Sequence, residues 1–218
     1  MDFNSVLKVI TVYAIPLIFA ITVHEAAHAY AARYFGDSTA YMLGRMTLNP
    51  LKHIDPVWTI AVPLVMLLAA GFAFGAAKPV PVNFSALRNP KRDSIWVAAA
   101  GPGANLIMMI GWMVIFVLVR GMSGESAGVP LQFLGQVAEA GVLVNALLMV
   151  LNLLPILPLD GGRIVAGLLP NRLSYQYSRL EPYGMIFLVV LIVSPAFEMV
   201  VWPLVGATLK ALYSVFGV

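Results

Sequence analysis

Five long apolar stretches decide what this 218-residue chain can fold into. They run from about Val6 to Tyr34, Val57 to Ala77, Ile95 to Val119, Phe133 to Leu157 and Tyr183 to Phe216. A helix that crosses a bilayer needs roughly 20 predominantly apolar residues, and each stretch reaches that length. The polar material left over is scarce: 61% of residues are hydrophobic and 11% charged, where a soluble domain carries roughly 25% charged residues. So little polar surface cannot face water on all sides, and lipid must act as part of the solvent. The expected fold is an all-α polytopic membrane protein with four to six membrane segments, built as a single domain over residues 1–218.

The breaks between stretches refine this. Gly36, just past Phe35, is placed to cap the first helix, and Pro16 is placed to bend it. The first stretch does not read as a cleaved leader, because Asp2 precedes the lone Lys8 and the apolar run flows directly into charged residues. Residues 36–55 are polar. The β-branched and aromatic side chains around Gly44 suggest a short membrane-associated β-hairpin between Ser38 and Leu48. The second stretch contains Pro63 and Gly71 and is followed by the proline-rich, basic "AKPVPVNFSALRNPKRD". Pro195, Glu198 and Pro203 interrupt the last stretch, which divides into one span plus an interfacial helix or into two short spans.

Basic residues in short loops mark the cytoplasmic side of a membrane protein. Arg33, Arg45 and Lys52 follow the first stretch, Lys78, Arg88, Lys91 and Arg92 precede the third, and Arg163, Arg172 and Arg179 follow the fourth; these are ten of the thirteen Lys and Arg residues. For all ten to share one side, the second stretch must enter and leave on that side as a re-entrant or interfacial element. No dense basic face with interleaved aromatics occurs, which excludes a nucleic-acid partner. There is no cysteine, so disulfides and thiolate metal sites are excluded and any metal must be held by nitrogen and oxygen.

The chemistry concentrates near the end of the first stretch, in His24-Glu25-Ala26-Ala27-His28. Imidazoles four residues apart project from one helical face and reach one zinc ion, with the intervening glutamate placed as general base. Polar side chains inside an apolar segment are costly, which argues against a functionless helix surface. Catalytic zinc takes three protein ligands and keeps one position for water. Among the ten acidic residues Asp160, which the pattern places at the end of an apolar helix in "NLLPILPLDGGR", is the best third ligand, since the charge pattern puts it at the same depth as His24 and His28. Alone, it reads equally well as a turn residue before Gly161 and Gly162. Those glycines would break the helix and open room for a peptide backbone. His53 sits in a polar stretch and reads as a surface or supporting residue.

Taken together, the motifs resemble the site-2 protease family of intramembrane zinc metalloproteases, in its compact members without PDZ or CBS domains. The resemblance rests on His24–His28, "GRMTLNPLKHIDP" from Gly44, "AKPVPVN" from Ala77, Gly101-Pro102-Gly103-Ala104-Asn105, and Asn152 to Gly162, in family order over about residues 20–165. It implies one zinc ion per chain on His24, His28 and Asp160, and Glu25 as the base. It also implies a catalytic core over about residues 5–165, with C-terminal membrane segments over about 183–217. Asn105 and Asn152 would orient substrate backbone or stabilise an oxyanion, or else form helix–helix hydrogen bonds. The implied partners are a transmembrane protein or peptide substrate and the lipid bilayer. The implied setting is a multi-pass protein of a bacterial-type cell membrane, with its site toward the cytoplasm. Two other readings compete. An integral-membrane prenyl-protein protease would take a glutamate as third ligand, and no glutamate here has that context. A transporter or metal-binding scaffold needs no carboxylate next to a helical histidine pair.

Overall fold

A computed structural model of the chain describes residues 3–61, 78–122 and 128–218. It contains eight α-helices among the described residues: α1 (Phe3–Tyr34), α2 (Thr39–Met42), α3 (Pro90–Met122), α4 (Val129–Asn152), α5 (Asp160–Leu168), α6 (Asn171–Ser178), α7 (Glu181–Val193) and α8 (Pro195–Phe216). Four are long and apolar enough to cross a membrane: α1 from Ile10, α3, α4 and α8. The protein is therefore an all-helical, multi-pass membrane protein. The expected re-entrant segment falls on Val57–Ala77, which beyond Ala61 lies outside the described residues.

Helix ends follow local chemistry. Past Tyr34, Gly36 takes φ 113°, its N–H donates to Arg33 O, and the Asp37 N–H donates to Ala32 O. This is the left-handed cap expected of glycine at that point. Helix α1 is unbroken through Pro16. Asn89 and Asp93 exchange bonds across the start of α3: the Asn89 N–H donates to Asp93 Oδ2 at 2.7 Å and the Asp93 N–H to Asn89 O at 2.8 Å. With Pro90 at the first helical position, this fixes where α3 begins. The final apolar stretch divides at Ser194–Pro195 into α7 and α8, as its prolines suggested.

The expected β-hairpin between Ser38 and Leu48 is not there, and the described residues contain no strand. Thr39–Met42 forms one helical turn instead. The cause lies in Asp37, whose Oδ1 accepts the Thr39 N–H at 2.9 Å, a local turn that competes with strand pairing. Its Oδ2 accepts the Asn83 N–H at 2.7 Å, which ties this turn to the proline-rich segment. That segment is lashed further by the Lys78 N–H to His53 O and by the Arg45 guanidinium to Lys78 O. Val80 packs on Ala29 and Ala40, and Leu87 on Ala32 and Val97, so residues 78–87 lie across the last turns of α1.

Helix α3 is central and packs against α1, α4 and α5, while α8 packs on α4. Every fourth residue along the middle of α3 forms a buried stripe, Val97, Gly101, Asn105, Met109 and Met113, with Ala98 and Pro102 buried beside it. Met109 and Met113 join Val142, Ala146 and Val150 of α4 and Val201 and Val205 of α8 in an apolar core. At the other end of the same stripe, Val97, Gly101 and Asn105 meet α1, and there hydrogen bonds to His28 and His24 join the apolar contact of Val97 with Ala32.

Candidate metal centre

His24 and His28 lie ten and six residues before the end of α1, on one face of the helix, and both are buried. The Asp160 carboxylate meets them: its Oδ2 is 3.3 Å from His24 Nε2 and 3.3 Å from His28 Nε2. The two Nε2 atoms are 3.1 Å apart.

The other ring nitrogens settle what these three atoms offer. His28 Nδ1 lies 2.8 Å from Val97 O. A carbonyl only accepts, so Nδ1 carries the hydrogen and Nε2 of the neutral ring keeps a lone pair. His24 Nδ1 lies 2.6 Å from Asn105 Oδ1, which is likewise an acceptor and leaves the same nitrogen bare. Asp160 Oδ2 is buried without a hydrogen-bond partner among the described residues. Three lone-pair donors thus face one point with no hydrogen between them, an arrangement that repels itself unless a cation sits there. Zinc bonds of about 2.0–2.1 Å in a tetrahedron place neighbouring ligand atoms roughly 3.3 Å apart. The observed edges of 3.1, 3.3 and 3.3 Å fit that ion.

Close approach of the helices depends on a missing side chain. A Cβ on Gly101 would lie 2.4 Å from His28 Nε2 and 2.6 Å from His24 Cε1. Only glycine lets α3 come this near the ligands.

Asp160 does not end an apolar helix, as the sequence suggested. Helix α4 stops at Asn152, and Asp160 is the first residue of α5. Nor do Gly161 and Gly162 break a helix: they are buried in the first turn of α5. Added Cβ atoms would lie 2.2 Å from Leu153 O and 2.5 Å from the Ile156 carbonyl carbon, respectively. Their smallness seats α5 on the connection that follows α4, and this brings Asp160 to the histidines. Tyr177 braces that connection by donating its hydroxyl to Pro155 O at 2.8 Å.

Glu25 is half-buried beside the histidines, and its Oε2 accepts the Val80 N–H at 2.7 Å. Asn105 is fully buried, and its Oδ1 lies 2.6 Å from His24 Nδ1, a hydrogen bond between α3 and α1. Asn152 turns an amide hydrogen onto Leu148 O of its own helix at 2.9 Å. His53 is not a surface residue. It is 1% exposed and pairs through Nε2 with Thr47 O at 2.9 Å, apart from the metal-type cluster. Sequence reasoning passed over Asn145, whose Oδ1 accepts from Asn105 Nδ2 at 3.0 Å. Its signal was a lone amide inside the apolar "VLVNALLMV", where polar groups are costly.

The chain is similar to known proteins. Residues 126–194 match the model of peptidase family M50. A protein of Bacillus subtilis named "Putative zinc metalloprotease YwhC" is 38% identical over 203 residues, covering 93% of this chain and 90% of that protein. One of Mycolicibacterium smegmatis named "Putative zinc metalloprotease Rip2" is 32% identical over 192 residues, covering 85% of this chain and 70% of its own length. No solved structure matches. With an M50 segment spanning Asp160, relatives that align along nearly the whole chain, and apolar helices around a zinc-sized cluster of nitrogen and oxygen donors, the chain belongs to peptidase family M50, the site-2 protease family of intramembrane zinc metalloproteases.

Proposed function

We propose that His24, His28 and Asp160 hold the zinc, that Glu25 is the general base, and that the site cuts transmembrane segments of membrane-anchored proteins near their cytoplasmic ends. The convergence of His24 Nε2, His28 Nε2 and Asp160 Oδ2 within 3.3 Å carries this reading. It also favours a protease of this type over a prenyl-protein protease, because the carboxylate that meets the imidazoles is an aspartate.

Depth follows from helix geometry. At 1.5 Å per residue, the ligands lie roughly 9–15 Å inside the end of α1. The cations around the end of α1, around the start of α3 and after α4 support the reading of that end as cytoplasmic, which gives water a short path to the scissile bond.

Zinc, when bound, supplies Lewis-acid polarisation of a carbonyl and an acidified water. The protein supplies the rest. Glu25 takes a proton from the attacking water and passes it to the leaving amine, and the Val80 N–H holds Oε2 in place for that exchange. A substrate helix satisfies its own backbone, so it must unwind locally before its carbonyl is reachable. Asn152 donates one amide hydrogen to Leu148 and carries a second, which this reading assigns to the substrate backbone or the developing oxyanion.

The test is co-expression with single-span substrates. Glu25→Gln is expected to keep bound zinc and lower cleavage by about 10²–10⁴-fold. Cleavage at the wild-type rate by that variant would remove Glu25 from the mechanism. Cleavage that survives a strong zinc chelator would remove the metal.

A further inference from the structure

The two histidines present the same tautomer but are held in different ways. His28 Nδ1–H donates to a backbone carbonyl, Val97 O. His24 Nδ1–H donates to a side chain, Asn105 Oδ1. An amide side chain can be turned over, so something must fix which end of Asn105 faces the ring.

That something can be traced. Asn145 lies 2.8 Å from Gly141 O through its amide nitrogen. Because a backbone carbonyl only accepts, Asn145 must present Nδ2 there and therefore presents Oδ1 to Asn105. At 3.0 Å from that oxygen, Asn105 must in turn present Nδ2. Its own Oδ1 then faces His24 at 2.6 Å and requires a hydrogen on Nδ1. Direction thus passes from a carbonyl on α4 through two amides to a ring on α1. Both asparagines are 0% exposed, so no water competes for these bonds. Reversal of either amide would set N–H against N–H or oxygen against oxygen in a dry interior, which is costly.

We propose that Asn145 is a positioning residue for His24: acting through Asn105, it holds the imidazole in the tautomer and orientation that leave Nε2 free for a cation. This rests on the reading that His24, His28 and Asp160 bind zinc. Partners that donate to or accept from a metal-ligating histidine typically change metal affinity by about 10–100-fold when removed.

The full-length protein in detergent or nanodiscs serves for the test. Zinc affinity is measured by chelator competition for wild type, Asn145→Leu, Asn145→Asp, Asn105→Leu and the double leucine variant. Asn145→Leu is expected to weaken zinc by about 10–100-fold. Asn145→Asp in its neutral, protonated form keeps a donor for Gly141 O and an acceptor for Asn105, and is expected to restore affinity to within a few-fold. The double variant is expected to be no weaker than Asn105→Leu alone, since Asn145 acts only through Asn105. Losses that multiply, or an Asn145→Leu protein with wild-type affinity, would overturn the proposal. Should Asn145→Leu fail to fold, Asn145→Ala and the aspartate rescue give the same comparison.

A second measurement is independent of the metal. The chain has three histidines, so nitrogen NMR of the metal-free, histidine-labelled protein resolves each ring. Wild type is expected to show Nδ1–H on His24 and His28 and Nε2–H on His53. In Asn145→Leu the His24 signal alone should lose its single-tautomer shift. An unchanged His24 signal there overturns the relay, even if the zinc reading stands. Absence of zinc from wild-type protein overturns the zinc reading, while the tautomer result still decides the relay.

Discussion

The buried stripe of α3 has two halves that solve the same packing problem differently. Toward the start of the helix, Val97, Gly101 and Asn105 meet α1 through a carbonyl, a missing side chain and an amide. Toward its end, Met109 and Met113 meet α4 and α8 through apolar contacts alone. In lipid, burying a methionine between helices gains close packing but little hydrophobic drive, because the surrounding chains are equally apolar. A hydrogen bond there, by contrast, has a direction and a required partner. The apolar half makes the helices stick, and the polar half sets the angle and tautomer of two imidazoles. The lesson is that loss in one half should change stability, and loss in the other should change chemistry.

The sharpest test of this division is Asp160→Ala, which removes the sole anionic donor from the cluster. Metal analysis of the purified protein should find zinc reduced to background and cleavage lost. Full zinc occupancy would show that another acid completes the site. Gly101→Ala comes next, since its Cβ would lie 2.4 Å from His28 Nε2; zinc affinity should fall about 10-fold or more, in the range seen when a ligand's surroundings are disturbed. The control is Gly103→Ala, two residues along, where a Cβ meets nothing within 4 Å and affinity should not move. Met113→Ala probes the apolar half. It should cost about 2–5 kcal/mol of stability, in the range for a fully buried methionine, visible as a lower unfolding temperature in detergent with zinc stoichiometry unchanged. A zinc defect in Met113→Ala would erase the proposed division. Smallest of all is Ile107→Ala on α3, where the side chain is 72% exposed, expected within about 0.5 kcal/mol of wild type.

How much of this was legible in the residues depends on the range of the forces involved. Apolar length is a local property, and α1, α3 and α4 follow their apolar stretches to within a few residues. The Gly36 cap and the Pro195 break are equally local. The hairpin was misjudged because the signal used, β-branched and aromatic content, is weak beside a single carboxylate at Asp37 that closes a turn and takes a second bond from residue 83. His24 and His28 were visible as a spacing on one helix. Asp160 was found as the best-placed acid, yet its position at the start of α5 depends on Gly161 and Gly162 packing against the preceding connection, which no local pattern encodes. Asn145 went unseen for the same reason: its meaning lies in Asn105 and Gly141, and half of that pairing is 40 residues away.

The three proposed zinc ligands come from distant parts of the chain, two on its first helix and the third on the helix after α4. During synthesis, a nascent chain that has not yet passed residue 160 carries His24, His28 and Glu25 but not the Asp160 carboxylate that the proposed site needs. On that reading hydrolytic power waits until α3 and α4 have already been made.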